Sequence, residues 1–334
     1  MRRIVMPRTA VDVATVPLAS GRPIRSAAGQ TMGTTWSVKW HAKEGAAHPR
    51  QAIEAELARL VGQMSTWSDD SAITRINDAP LGSWQDVPDS LFEVLADSLD
   101  LARDSGGAFD PTVGSIVESW GFGPRRAQTA PPACDWRSIE LDRAGHRLRR
   151  HADVRLDLSA IAKGDAVDRI AALMTRLGLS DHLIEIGGEL RGSGVKPDWS
   201  PWWVGLESPP ALDGTPLPAD VAVALHGLSV ATSGDYRHRV MRGGITQSHT
   251  VDPRSRLAVT NDLAAVSVIH ASCRAADGLS TALLVMGLEQ ALAWAAARDI
   301  AAVFRRRTDA GFVDVVTPTL QAWSDTPTPL PDPA

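Results

Sequence analysis

The segment of this sequence that carries the most chemical information is RAADGLSTALLVMG, residues 274–287. If it is helical from about Ala275, Asp277 and Thr281 are four residues apart and project from one helix face, where a carboxylate and a hydroxyl reach one hard cation. Mg²⁺ takes oxygen ligands and usually keeps positions for water and substrate phosphate, so two side chains and a carbonyl oxygen suffice. In the alternative, Asp277 caps the helix and Thr281 bonds a preceding carbonyl, and this segment by itself favours that alternative.

A second segment, LDLSAIAKGDAVD at residues 156–168, is typical of a strand that runs through a turn into a helix. Lys163 stands at the start of that helix, where the macrodipole disfavours a cation unless an anion lies nearby. A bound phosphate explains this position. A surface lysine paired with Asp165 or Asp168 explains it equally well.

Asp110 precedes a proline in AFDPTVG, residues 108–114. The residue before a proline is forced toward an extended conformation, so its carboxylate is presented from a loop rather than along a helix. Such an aspartate could bind a ribityl hydroxyl or a ring nitrogen. An ordinary Asx turn is the alternative, and the segment by itself favours it.

His249 is the candidate general base, within SHTVDPR at residues 248–254. Imidazole titrates near neutral pH, which suits proton transfer. A single histidine is more often structural, and that alternative stays open.

Two side chains near the amino end have the chemistry to pack against a planar ring. Trp67, in MSTWSDDS, and Met32, in TMGTTW, offer an aromatic face and a flexible thioether to an isoalloxazine or adenine ring. Packing in the protein core is the alternative. The chain has eleven tryptophans, so Trp67 is not distinguished by its type.

The elements that must position these residues are intermixed helices and strands, which indicates an α+β fold rather than a regular βαβ alternation. Apolar spacing and glycine stops predict helices at about 53–64, 90–103 and 164–177. Alternation predicts strands at 35–40, 153–158, 182–186, 202–206, 219–225, 263–270 and 300–305. The sequence GGELRGSG at 187–194 does not supply a GxGxxG between strand and helix, and no P-loop is present.

Bulk properties exclude several classes of protein. The 334 residues, 44% of them hydrophobic, can bury a substantial core. A net charge of −5 disfavours a nucleic-acid partner, and two cysteines form neither a disulfide framework nor a CxxC metal pair. No apolar run reaches the roughly 18 residues that cross a bilayer, so we expect no membrane insertion and, without a visible export signal, a cytoplasmic protein. We expect a flexible arm at 1–27, one domain at 28–323 and a Pro-rich tail at 324–334.

The whole set of motifs, in this order, resembles the FAD:protein FMN transferase (ApbE) family from about Gly29 to Gly287. The stretches that carry the resemblance are TMGTTW, MSTWSDDSAITRIN, AFDPTVG with WGFG, LDLSAIAKGDAVD, IGGELRGSG, ATSGDYR, SHTVDPR and ADGLSTALLVMG. The resemblance implies a single mixed α/β unit of the ApbE-like, T-fold-related type, with FAD bound in a cleft.

The resemblance also implies roles for individual residues. Asp277 and Thr281 would bind Mg²⁺ together with the backbone carbonyl of Ala160, and His249 would deprotonate the acceptor hydroxyl. The implied flavin contacts are Met32, Trp67, Ala108, Phe109, Asp110, Asp157, Lys163 and Val251. One departure from the family pattern is Asp165, where an aromatic residue is common, and its charge is expected to weaken FAD binding if it lies near the phosphates.

The implied activity is a Mg²⁺-dependent transfer of FMN from FAD onto a threonine or serine hydroxyl of a target flavoprotein, through a phosphoester bond and with release of AMP. Two alternatives remain. The same site could admit water and act as an FAD pyrophosphatase that yields FMN and AMP. The chain could also be a non-catalytic FAD-binding carrier, although a carrier has no need of a base beside the phosphates.

Overall fold

A computed structural model describes residues 3–5, 23–41, 47–124, 134–209, 221–235, 239–242 and 245–324. Its helices are α1 (Arg50–Met64), α2 (Ala72–Asp78), α3 (Asp89–Asp104), α4 (Gly114–Ser119), α5 (Ala162–Arg176), α6 (Cys273–Met286), α7 (Leu288–Ala296) and α8 (Pro318–Ser324). Its strands are β1 (Arg3–Val5), β2 (Arg25–Thr31), β3 (Thr34–Trp40), β4 (Gln85–Asp86), β5 (Ile139–Asp142), β6 (Arg147–Arg150), β7 (His182–Ile186), β8 (Glu189–Ser193), β9 (Trp202–Gly205), β10 (Val221–Leu225), β11 (Leu228–Gly234), β12 (Arg239–Arg242), β13 (Ile245–Ser248), β14 (Val251–Asp252), β15 (Leu257–Ala258), β16 (Leu263–His270), β17 (Ala301–Thr308) and β18 (Gly311–Val316).

The largest sheet has eight strands in the order β18-β17-β16-β11-β8-β7-β3-β2. Every neighbouring pair in it is antiparallel. A three-stranded sheet, β1-β10-β9, packs beside it. Together with the helices, these sheets confirm the predicted α+β class.

Strand β16 lies near the middle of the large sheet, and seven of its eight residues are buried. One face packs on α6 and α7, through Val266 and Val268. The other face packs on β9 and β10, through Ile269. A strand covered on both faces reads as a continuous apolar run, which explains why its sequence predicts it well.

Helices α5 and α6 meet at a close contact that decides where the functional residues lie. A Cβ atom built on Gly164 would come within 2.3 Å of the Cys273 carbonyl oxygen. Only glycine therefore fits this position without displacing backbone. The contact brings the first turn of α5, with Lys163, next to the second turn of α6, with Asp277.

The predicted strand at 153–158 is wrong. This segment is extended but has only one isolated bridge, between Val113 and Arg155. The side chain of Asn77 bonds both the N–H and the carbonyl of Leu156, and the Pro111 carbonyl accepts from the N–H of Asp157. Because loop groups take these backbone hydrogen bonds, no ladder forms.

The other predicted elements match within a few residues at each end. The elements that the sequence did not predict are mostly short or lack a clear period: α2, α4, α7, α8, β1, β2, β4, β5, β6, β8, β11, β12, β13, β14, β15 and β18. No helix among the described residues is long and apolar enough to cross a bilayer.

Most of the predicted arm and tail lies outside the described residues. In the range 1–27, Arg3–Val5 form β1, parallel to β10, and Arg25 begins β2. In the range 324–334, only Ser324, the last residue of α8, is described.

Candidate active site

A cavity of 530 Å³ opens where α5, α6, the β7–β8 hairpin and the end of β11 meet. Of the residues singled out in the sequence, its lining includes Ala108, Phe109, Asp110, Asp157, Ala160, Lys163, His249, Val251, Asp277 and Thr281. Met32 and Trp67 are not part of that lining. Met32 packs partly against the core, whereas Trp67 is 68% exposed and so is not a core residue.

Asp277 lies in the interior of α6 and does not cap it. The N-cap is Ser272, whose hydroxyl accepts from the N–H of Ala275. Asp277 is buried, and its Oδ2 accepts from the N–H of Gly164 at 2.9 Å. The alternative in which Asp277 caps its own helix is therefore wrong.

Thr281 follows one turn later on the same helix. Its Oγ1 donates to the Asp277 carbonyl at 3.4 Å, as the alternative reading expected, and lies 2.8 Å from the Ser233 hydroxyl. Neither contact removes Thr281 from the cavity lining. A carboxylate and a hydroxyl from successive turns of α6 thus face the same space.

Lys163 pairs with Glu189 and Asp277, neither of which the sequence indicated as its partner. Its Nζ lies 3.3 Å from Glu189 Oε1 and 3.7 Å from Asp277 Oδ1, and it donates to the Ser159 carbonyl at 3.5 Å. Burial lowers the pKa of Lys163, but the two carboxylates outweigh burial and raise it above its ordinary value. The charge at the start of α5 is explained by these carboxylates.

Asp165 and Asp168, the alternative partners of Lys163, point elsewhere. Asp165 is buried and accepts from Arg169 at 2.7 Å and Arg274 at 3.0 Å. Asp168 accepts from the Ser272 hydroxyl and from two N–H groups at the start of α6. Asp165 does not line the cavity and is paired with two arginines, so its charge does not add to that of the cavity lining.

Glu189 is the functional candidate that the sequence reading missed. It begins β8 after the turn at Gly187 and Gly188, both of which have positive φ. Its side chain is 4% exposed, and Oε2 has no hydrogen-bond partner among the described residues. Burial raises the pKa of this carboxyl, and Lys163 opposes that shift. The signal available in the sequence was an acidic residue directly after a glycine pair.

Asp110 and Asp157 present carboxylates from loops. Asp110 Oδ1 accepts from the N–H and hydroxyl of Thr112, which is the Asx turn that the sequence alternative predicted. Burial raises the pKa of Asp110, although these hydrogen bonds oppose the shift. Asp157 Oδ1 accepts from the N–H of Ser159 at 2.8 Å. Both residues line the cavity, so local structure and ligand contact are compatible.

His249 lies on a loop that is packed against the segment after α4. Its ring centroid is 6.1 Å from that of Phe122, with the rings edge to face at 71°. Nearby, the Trp120 indole donates to the Arg256 carbonyl, and the Cys134 thiol donates to the Pro253 carbonyl. These contacts fasten the His249–Arg256 loop at the cavity wall.

The charges of the described lining residues are unbalanced. Six carboxylates line the cavity against a single lysine and no arginine: Asp110, Asp157, Glu185, Glu189, Glu207 and Asp277. Such a lining would repel a phosphate-bearing ligand unless a cation accompanied it.

The donor set suits a hard cation. Within the described residues, no group of three or more His, Cys, Asp or Glu side chains is arranged to hold a metal ion, as a protein-enclosed zinc site requires. Asp277, the Thr281 hydroxyl and the Ala160 carbonyl offer only oxygen, and few ligands. That combination fits Mg²⁺, which retains waters and binds substrate phosphates.

Comparisons with known proteins agree with one another. The ApbE family model matches residues 32–304. The FAD:protein FMN transferase of Vibrio cholerae is 34% identical over 302 residues, which cover 85% of this chain and 88% of that protein. The protein of the same name from Haemophilus influenzae is 32% identical over 306 residues, covering 86% and 88%. The apo crystal structure of Pseudomonas stutzeri flavinyl transferase ApbE has a TM-score of 0.81 and 37% identity, covering 92% of this chain and 98% of that one.

Proposed function

Because this chain belongs to the ApbE family, we infer that it is an FAD:protein FMN transferase, and we propose that it requires Mg²⁺ and modifies a threonine or serine hydroxyl of a target flavoprotein. The FMN half of FAD becomes linked to the acceptor through a phosphoester bond. AMP is the other product.

One observation supports the Mg²⁺ requirement most directly, namely that a cavity which must accept a pyrophosphate is lined by six carboxylates and one lysine. Asp277, Thr281 and the Ala160 carbonyl are the residues proposed to hold the cation. When bound, Mg²⁺ would neutralise phosphate charge and polarise the phosphoryl oxygens. The protein would then need few cationic side chains of its own.

The remaining wall of the cavity offers the contacts that a flavin nucleotide needs. Ala108, Phe109 and Val251 supply apolar surface, while Asp110 and Asp157 supply hydrogen-bond acceptors for hydroxyl or N–H groups. Met32 and Trp67 are not part of the cavity lining. We propose that Trp67, with its exposed indole, and Met32 contact the part of FAD that extends beyond the cavity.

The transfer step uses groups that face this space. The acceptor hydroxyl oxygen attacks the phosphorus of the FMN half, a new phosphoester P–O bond forms, and the pyrophosphate P–O bond to AMP breaks. The hydroxyl proton passes to His249, which acts as general base. Lys163 offsets the charge that develops on the departing AMP.

The experiment that tests this proposal separates transfer from hydrolysis. The chain is co-expressed with a candidate acceptor flavoprotein, and the acceptor is digested and analysed by mass spectrometry. We expect an FMN adduct, linked through phosphate, on one threonine or serine. Steady conversion of FAD to free FMN and AMP, with the acceptor present and unmodified, would identify a pyrophosphatase instead.

A further inference from the structure

Lys163 lies between two buried carboxylates that do not serve the same purpose. Its Nζ is 3.3 Å from Glu189 Oε1 and 3.7 Å from Asp277 Oδ1. Asp277 Oδ2 already accepts from the N–H of Gly164. Oδ1 is therefore the oxygen that remains for a cation, and the Lys163 ammonium is its nearest competitor among the described residues.

The burial and contacts of Glu189 indicate that its negative charge has a role. Its side chain is 4% exposed, and its second carboxylate oxygen has no partner among the described residues. Burial of a carboxylate is costly unless a cation compensates it. Lys163 is the cation that does so here. The glycine turn before Glu189 fixes where this carboxylate lies, because β7 and β8 are paired directly on both sides of that turn.

We infer that Glu189 is a positioning residue, which holds the Lys163 ammonium so that Asp277 Oδ1 stays open to a divalent cation. The inference rests on the metal site of the proposed function and adds a residue to it. Glu189 itself is not placed on the metal or on the phosphates.

The charges of Lys163, Glu189 and Asp277 explain why the ammonium needs a partner other than Asp277. Two carboxylates and one ammonium leave one negative charge in excess, which an incoming cation balances. A cation on Asp277 repels an ammonium only a few ångströms away. Glu189 gives the ammonium an alternative partner at a shorter distance.

Without Glu189, the ammonium has only the Asp277 carboxylate to pair with. The internal ion pair would then compete with the metal for the same oxygen. A nearby opposite charge typically changes the affinity of a carboxylate for a cation by about tenfold or more. We therefore expect Glu189→Gln to weaken divalent-cation binding by about tenfold.

The test measures Mn²⁺ binding to the isolated full chain by electron paramagnetic resonance of free Mn²⁺, without FAD and without turnover. The matched control is Glu185→Gln. Glu185 lines the same cavity and belongs to the same hairpin, but it accepts from Gly188 and Ser37 instead of contacting Lys163. We expect this control to lose less Mn²⁺ affinity than Glu189→Gln does, because Glu185 lines the cavity but does not hold the Lys163 ammonium.

A double-mutant cycle separates positioning from a general loss of negative charge. If Glu189 acts through Lys163, Glu189→Gln has no further effect on Mn²⁺ binding in a Lys163→Met background. An equal loss in both backgrounds would overturn the inference. So would wild-type Mn²⁺ affinity in the folded Glu189→Gln variant. If that variant does not fold, Glu189→Asp, which keeps the charge on a shorter stem, must still bind Mn²⁺ more weakly than Glu185→Asp does.

The outcome for Asp277→Asn distinguishes this inference from the proposal on which it rests. If Mn²⁺ binding is unchanged in Asp277→Asn, the proposed metal site is wrong. If Asp277→Asn abolishes binding but Glu189→Gln leaves it unchanged, the metal site stands and only the role of Glu189 fails.

Discussion

Helices α5 and α6 carry two ionic clusters that differ in how their charges are compensated. The cavity cluster consists of Lys163, Glu189 and Asp277. The interhelix cluster consists of Asp165, Arg169 and Arg274, whose guanidinium groups also reach Glu93 and Asp97 at the surface. Lys163 and Asp165 are only two residues apart, so they project from α5 in nearly opposite directions.

Counted with Glu93 and Asp97, the interhelix cluster has three carboxylates and two guanidinium groups, while the cavity cluster has two carboxylates and one ammonium. Each therefore has one carboxylate in excess, and charge count does not separate them. Burial does. In the interhelix cluster, the side chains of Glu93 and Asp97 are 56% and 52% exposed, and water compensates them. In the cavity cluster, Glu189 and Asp277 are each 4% exposed. Excess negative charge that is kept away from bulk water, beside a cavity, supports the proposal that a cation binds there.

Replacement of the cavity aspartate is expected to have the largest effect. Asp277→Asn removes the proposed metal carboxylate, and metal ions supply several kcal/mol of transition-state stabilisation in such sites, so AMP release from FAD should fall by about 10³-fold or more. Chromatography of AMP formed with FAD, Mg²⁺ and acceptor measures it. The fold should persist, because Lys163 keeps Glu189 as its partner.

The matched control is Asp165→Asn, an equally buried aspartate on the neighbouring helix. We expect its turnover to stay within about threefold of wild type, as for most substitutions without contact to the reacting groups. Equal losses in the two variants would show that burial on these helices, rather than a place at the cavity, governs activity.

Replacement of His249 is expected to separate the contribution of the general base from that of the metal ion. His249→Ala removes proton transfer but leaves the cavity cluster intact, so the rate should fall by about 100-fold or more while Mn²⁺ and FAD affinity are kept. Single-turnover rates and FAD titration measure the two quantities. Loss of FAD binding with an unchanged rate at saturation would make His249 a ligand contact instead of a base.

Part of the cavity cluster was predictable from the sequence. The four-residue spacing places Asp277 and Thr281 on one helix face, and Lys163 is unusual at a helix start. The sequence marks Glu189 only as an acidic residue after a glycine pair, and its pairing with Lys163, 26 positions away in the chain, was not predictable. Only the packing of β8 beside α5 brings the two charges together.

The fold, too, has elements that the sequence predicts and elements that it does not. The α+β class and the strand at Leu263–His270 follow from composition and apolar runs. The false strand at 153–158 has suitable residues, but its backbone is bonded by the Asn77 side chain, a long-range contact with no local signature. Likewise, only the tertiary structure shows that Arg169 and Arg274 neutralise Asp165.

Stability measurements with and without metal should distinguish the clusters again. A ligand present at 100 times its Kd stabilises the folded state by about 2.7 kcal/mol. Mg²⁺ at that ratio should therefore raise the Tm of wild type and of Asp165→Asn by several degrees. The same addition should leave the Tm of Asp277→Asn unchanged. A rise in all three proteins would mean that Mg²⁺ stabilises the chain at some other place.

The smallest effect is expected in the interhelix cluster itself. Arg274→Met removes a guanidinium that contacts Asp165 at 3.0 Å and Asp97 at 2.9 Å. Asp165 keeps Arg169, so its buried charge is not left without a partner, and we expect a loss of about 1–2 kcal/mol in the free energy of unfolding. Chemical denaturation measures that loss, and the AMP assay should give a kcat within about twofold of wild type. The contrast between the two variants matters more than the size of either effect. Arg274→Met should lower stability without lowering activity, whereas Asp277→Asn should lower activity without lowering stability. If Arg274→Met instead abolished turnover while the protein stayed folded, the two clusters would act as one unit, and burial beside the cavity would no longer explain which carboxylates serve catalysis.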